Sequence, residues 1–245
     1  VTVQMPAMAA EQATSWHALM DIQERYPDSW TLVGGQMVHL HCAERGASPV
    51  RPTDDADALL DVRAHPAILF DFTARLEDVG FVADQPTPEG HQHRWRKGRA
   101  QIDVLIPSGI GRRATRRTGV SGSTTLETPG STQALNRSER IEVSVEGRSG
   151  VMRRPNLVGA LVCKAAAHTL QDQRGRGRHR RDFALLATLL AATDLREAAV
   201  STSDRKYLRP MLEQVLTDPQ ALHVAEDVQR GLDQIALLLE PRSRA

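Results

Sequence analysis

The span from Trp30 to Asp61, WTLVGGQMVHLHCAERGASPVRPTDDADALLD, constrains this chain more than any other. It reads as a short apolar strand through Leu32 and Val33, then Gly34-Gly35, then a turn-rich run that delivers Asp55 and Asp57. On an extended segment side chains alternate with period two, so an Asp-x-Asp pair projects both carboxylates from one face. Like charges held that close repel unless a cation lies between them. Oxygen donors at this spacing suit Mg²⁺, which binds one or two carboxylates and completes its shell with water and substrate phosphates. The span therefore predicts a phosphoryl- or nucleotidyl-transfer site, on the condition that the glycines lie near the pair in space.

The rest of the chain organises around that site. Residues 9–25 are alanine- and glutamine-rich, with Trp16, Leu19, Met20 and Ile22 on one helical face. A strand at 30–33 is followed by a short helix over Gln36–Glu44 and a strand over Asp55–Val62. A helix over His65–Val79 comes next, then strands at Phe81–Ala83, His91–Arg96 and Ala100–Ile106, the last two joined by a hairpin at Lys97-Gly98. Residues 107–138, rich in Gly, Ser, Thr and Arg, read as a long loop with one helical turn. A strand at Arg140–Glu146 alternates Ile141, Val143 and Val145 with polar residues. From Pro155 the character becomes helical: Asn156–Leu170, Asp182–Ala192, and two patterns over 204–217 and 219–239. The expected fold class is α/β (α+β), a mixed sheet flanked by helices with a C-terminal helical bundle. The division falls near residue 150, giving a core of 1–150 and a helical domain of 151–245 that completes the site.

Composition narrows the setting. The 245 residues carry a formal net charge of +1, so no global field points to nucleic acid or a membrane. All but three of the 31 basic residues are arginine, which makes Lys97, Lys164 and Lys206 stand out. Cys42 and Cys163 are isolated and form no CxxC, which suggests a reducing compartment and no disulfide framework. No run approaches a membrane span and no leader-like segment opens the chain, so a cytoplasmic protein without membrane attachment is expected.

Two further features reinforce the site. Asp103 lies in QIDVLIP between Ile102 and Val104, and an acid in so apolar a strand is costly unless paired or metal-bound. It is placed to supply a third carboxylate, while Asp54 faces away and Asp61 lies beyond the strand's centre. Gly34-Gly35, between a strand and a helix, would aim backbone N–H groups at an anion and let a phosphate approach closely.

The GGQMVHLH and RPTDDAD segments together resemble nucleotidyltransferases of the polymerase-β superfamily, most closely the AbiEii/AbiGii toxin-like group of type IV toxin–antitoxin systems, over about Trp30 to Leu190. The resemblance implies that Gly34, Gly35 and Gln36 contact the nucleotide, and that Asp55, Asp57 and Asp103 bind two Mg²⁺ ions. Where the wider superfamily often has a small hydroxyl residue this chain has Gln36, so backbone contacts carry that position. It also implies that Lys164 and Asp182 (in HRRDFALL) line the nucleotide pocket, the lysine neutralising the departing pyrophosphate. Read from its helix alone, Lys164 is either a surface cation or one directed into a polar site. Related sequences often carry a second aspartate three residues after the first; here it is Leu185.

The function this implies is Mg²⁺-dependent transfer of an NMP from an NTP to an acceptor hydroxyl, by a toxin-like enzyme acting on tRNA or protein and restrained by an antitoxin. Alternatives are nucleotidylation of a small molecule, as in antibiotic-modifying relatives, and a non-catalytic nucleotide- or RNA-binding module. Arginines at 112–117 and 174–181 read as flexible loops that either hold triphosphate or nucleic acid or are simply solvated. His39, His41, His91, His93, His168 and His179 lack zinc-like spacing and read as satisfied surface or core residues.

Overall fold

Two sheets and a set of helices build the chain, which a computed structural model describes over residues 2–170 and 173–240. In chain order the first elements are β1 (Val3–Gln4), α1 (Ala10–Arg25), β2 (Trp30–Val33), α2 (Gly34–Glu44), β3 (Asp55–Leu60) and α3 (Ile68–Asp78). β4 (Val82–Ala83), β5 (Arg94–Lys97), β6 (Ala100–Pro107), α4 (Arg112–Thr115), β7 (Leu126–Thr128) and α5 (Ser131–Asn136) follow. β8 (Ser138–Val145) and β9 (Arg148–Pro155) form a hairpin, and then come α6 (Leu157–His168), α7 (Gln173–Thr188), α8 (Ala192–Glu197), α9 (Thr202–Leu216), α10 (Pro219–Leu222) and α11 (Val228–Leu239). The architecture is mixed α/β with a helical C-terminal region.

The larger sheet runs β2-β3-β6-β5-β4, with β7 added parallel to the end of β6. β3 and β6 are parallel neighbours at its centre, and β2 and β5 flank them antiparallel. Ala58, Leu59 and Leu60 are all buried because the sheet is covered on both faces there, and within β3 only Asp55 and Asp57 are partly exposed. The smaller sheet is β1-β8-β9. α1 packs its Trp16, Leu19, Met20 and Ile22 face between the two sheets, touching β3, β6 and β9. Trp30 and Phe72 meet edge to face at 5.4 Å, joining β2 to α3.

Several boundaries differ from the sequence expectations, each for a physical reason. α2 begins at Gly34, two residues early, because glycine takes the junction between strand and helix (φ +71° at Gly34). The region 107–138 is not a bare loop: β7 extends the sheet and α5 adds more than a turn. β9 has only Val151 and Met152 as large apolar residues, and its strand character comes from pairing with β8 across a turn at Glu146-Gly147 (φ 45° and 81°). Its Arg154 is 4% exposed and bonds Glu44 at 2.6 Å and Glu139 at 3.1 Å, a burial that alternation rules do not anticipate. The hairpin runs through residue 150, and the continuous helical region begins at Leu157.

The arginine-rich segment at 174–181 is also a correction. It is the first half of α7, not a flexible loop. Gly175 and Gly177 disguise it locally, and tertiary contacts hold it: Arg180 pairs with Asp218, and Arg181 donates to Gln220 at 2.8 Å. The side chain of Arg174 lies outside the described residues. α6 is capped by Asn156, whose Oδ1 accepts from the Gly159 N–H at 2.9 Å, and is buried along most of its length. α11 buries Val228, Leu232, Ile235 and Leu239 at helical spacing against α7 and α9. One hydrophobic cluster joins residues of the sheets to residues of α6, α7, α9 and α11. Among the described residues no helix is long and apolar enough to cross a membrane.

Candidate active site

Strand register assembles the site. Val33 stands opposite Asp57, Asp57 opposite Asp103, and Asp103 opposite Arg94, so one row crosses β2, β3, β6 and β5. Neighbouring strands lie about 4.8 Å apart, which sets the carboxylates within reach of one another. Asp55, Asp57 and Asp103 each offer an oxygen within 4.8 Å of the others, the only such acidic or metal-ligating group of three among the described residues. Asp54 points to solvent, and Asp61 accepts the N–H groups of Arg63 and Ala64 in the turn after β3.

Each carboxylate is held differently. Thr53 Oγ1 donates to Asp55 Oδ1 at 2.8 Å. Arg94 forks onto both oxygens of Asp103 at 3.0 and 2.9 Å, and Gln101 Nε2 adds a longer contact at 3.3 Å. Among the described residues no such cation is in contact with Asp57. Burial, then the charges of Asp55 and Asp103, push its carboxyl up to about 7. Three carboxylates so placed, one of them driven toward its protonated form by burial and by the other two, fit a hard divalent cation such as Mg²⁺.

The glycines owe their identity to these groups. A Cβ on Gly34 would lie 1.7 Å from Asp57 Oδ2, and one on Gly35 would lie 2.4 Å from Thr53 Oγ1. The pair therefore lets the start of α2 press directly against the acidic cluster, with the first-turn N–H groups of an 11-residue helix beside it. Gln36 is not brought to the cavity. It is 2% exposed, accepts from Trp16 Nε1 at 3.1 Å and donates to the Thr53 carbonyl at 2.9 Å. Gln12 donates to the same carbonyl, so two amides, one buried and one half-buried, pin the loop that carries Asp55.

The cluster forms the floor of a cavity of about 460 Å³ that also takes in Gly34, Gly35, Arg51, Thr53, Arg94 and Lys164. A cleft of similar size between Leu195, Val200 and Leu237 gathers no comparable set of charges. Lys164 enters from α6, 2% exposed, and its Nζ donates to Asp182 Oδ2 at 2.8 Å. Arg51 forks onto the same aspartate at 3.1 and 2.8 Å. Asp182 is not on the cavity wall; it stands behind the two cations and holds them toward it. Burial opposes its ionisation, yet Lys164 and Arg51 overcome that cost and bring it down to about 2. Cys163 lines the cavity with its thiol pushed up to about 12 by burial, which leaves it unreactive at neutral pH.

Arg51 and Arg94 had no role assigned from the sequence, and Thr53 figured there only as the start of the Thr-x-Asp-x-Asp pattern. Arg51 and Thr53 sit in the quoted RPTDDAD motif, and a hairpin turning at Gly98 places Arg94 opposite Asp103, so both signals were present. The histidines divide. His39 bonds the Arg51 carbonyl at 2.9 Å, His41 the Pro155 carbonyl at 3.1 Å and His91 the Thr124 hydroxyl at 3.0 Å. His93 and His179 line the cavity; among the described residues His93 Nδ1 and both His179 ring nitrogens are buried without a hydrogen-bond partner, as is Nδ1 of His41 away from the cavity.

No protein-family model matches the chain, and no curated protein matches its sequence. Among solved structures it is similar to the solution structure of antibiotic-resistance factor ANT(2'')-Ia. The two share 12% identity over 85% of this chain and 95% of that one, with a TM-score of 0.47. What the site can do follows from its own side chains.

Proposed function

We propose that this chain is a Mg²⁺-dependent nucleotidyltransferase that moves an NMP from an NTP to an acceptor hydroxyl. The observation that carries this reading is the meeting of three carboxylates, within 4.8 Å of one another, with a helix N-terminus and two cations around one cavity. Asp55, Asp57 and Asp103 would hold one or two Mg²⁺ ions, which when bound supply Lewis-acid polarisation of the phosphoryl oxygens. The first-turn N–H groups of α2 receive phosphate oxygens where the glycines leave room. Arg94 keeps Asp103 fixed, and Asp103 takes the acceptor proton as the oxygen forms its bond to the α-phosphorus. The bond from that phosphorus to the bridging oxygen breaks, and Lys164 and Arg51 compensate the charge of the departing pyrophosphate. Asp182 positions both cations and does not touch the substrate.

The motif resemblance supports a macromolecular acceptor, tRNA or protein, for a toxin-like enzyme whose partner would be an antitoxin. The test is transfer of α-labelled NMP in the presence of Mg²⁺, total tRNA, a cell-protein fraction and an aminoglycoside, with wild type and Asp57→Asn. Label on tRNA or protein with wild type only is the expected result. Label confined to the aminoglycoside would move the reading to small-molecule nucleotidylation. NTP binding with no transfer to anything would leave a non-catalytic nucleotide-binding module.

A further inference from the structure

His179 lies on α7 one turn before Asp182, on the wall of the same cavity. Neither of its ring nitrogens has a hydrogen-bond partner among the described residues, and both are shut off from water. Buried polar atoms of folded proteins are nearly always paired, and those that are not usually await a ligand or a water. Burial, and then the charge of Lys164, press the ring toward its neutral form, down to about 3. A neutral imidazole offers one donor and one acceptor.

The cavity itself says which part of an NTP would meet that ring. Its acidic floor and the start of α2 suit phosphates. Ala167 on α6 and Leu170 just beyond its end add apolar lining next to Lys164. Leu105 and Leu126, paired across β6 and β7, form an apolar surface elsewhere on the same wall. An apolar slot suits the faces of a base, and a base edge both donates and accepts. Phosphate oxygens only accept, and would leave the acceptor nitrogen of the imidazole unpaired.

We propose that His179, by turning its ring into the cavity, reads the edge of the nucleobase and sets which NTP the site prefers. This rests on the nucleotidyltransferase reading and extends it to base selection. The leucine variant removes two unpaired polar atoms and keeps an apolar side chain of similar reach, so the fold is expected to hold.

The test is calorimetric binding of non-hydrolysable analogues of the four NTPs and of their 2′-deoxy forms, and of inorganic tripolyphosphate, in the presence of Mg²⁺. Wild type is expected to bind one NTP about tenfold tighter than the others, the worth of one buried hydrogen bond. His179→Leu is expected to erase that preference while leaving tripolyphosphate affinity unchanged. If His179→Leu does not fold, His179→Gln, which keeps a donor and an acceptor but moves them, is expected to reorder the four affinities. A wild type that binds every NTP equally, or a variant that keeps the wild-type preference, overturns the assignment of His179 and leaves the transferase reading standing. Loss of discrimination against deoxynucleotides with base preference intact also overturns it, because the ring would then read the sugar. A wild type that binds no nucleotide removes both.

Discussion

Replacing Asp57 by asparagine is expected to abolish nucleotidyl transfer and, at the same time, to make the metal-free protein more stable at alkaline pH. The first effect follows from losing a shared cation ligand: several kcal/mol of charge stabilisation correspond to a fall in rate of about 10³-fold. The second follows from the carboxyl being pushed up to about 7 by burial and by Asp55 and Asp103. An unfolded aspartate titrates near about 3.9, so between these values the folded state binds the proton and the unfolded state does not. The stability of the metal-free wild type therefore falls as pH rises from about 4 through about 7, and then levels off. Asparagine carries no proton to lose, so the variant lacks this decline. Mg²⁺ is expected to reverse the decline in wild type, because on the proposed reading it binds the ionised cluster and stabilises the fold by mass action. Thermal melts in chelator and in excess Mg²⁺, at about pH 5 and about pH 8, check all three statements. A metal-free wild type whose melting temperature tracks that of Asp57→Asn at both pH values would contradict them.

Asp182→Ala is expected to be the most destabilising single change at the site. Lys164 and Asp182 are each about 2% exposed, and the substitution leaves the lysine buried with no anion in contact. Breaking a buried pair from one side costs about 3–5 kcal/mol, whereas replacing both partners by apolar residues is close to neutral. The double variant Lys164→Met/Asp182→Leu is therefore expected to recover most of the lost stability. Its Arg51, 20% exposed, can turn to water. The double variant is expected to stay inactive, because on the proposed reading Lys164 is a cation that meets the pyrophosphate. Urea unfolding of the two variants separates the structural part of the network from its catalytic part. A single variant that loses under about 1 kcal/mol would show that the pair does not close the helical region onto the site.

The acidic cluster was legible because period-two alternation and an acid in an apolar strand are local signals. Asp55, Asp57 and Asp103 needed only the assumption that their strands are neighbours, and the parallel register of β3 and β6 supplies it. The role of Gly34 was only half legible. A glycine beside a strand end suggested room for phosphate, but the nearest group a Cβ would strike is the Asp57 carboxylate, which comes from a strand twenty residues on. β9 and the first half of α7 were invisible to periodicity because their arginines are buried or pinned by partners far along the chain. Gln36 had a pattern position at the nucleotide, yet its amide is spent on the Thr53 carbonyl, a contact that only the folded loop creates. His179 carried no sequence signal: an unpartnered imidazole is defined by what surrounds it.

Calorimetric titration of a non-hydrolysable NTP analogue into the protein, with and without Mg²⁺, tests the central claim most directly. The carboxylate cluster, the α2 N-terminus and Lys164 together predict tight binding that requires Mg²⁺ and disappears in Asp57→Asn. Nucleotide binding of equal strength in chelator, or unchanged by Asp57→Asn, would contradict the assignment of Asp55, Asp57 and Asp103 as the metal-binding floor of a nucleotidyl-transfer site.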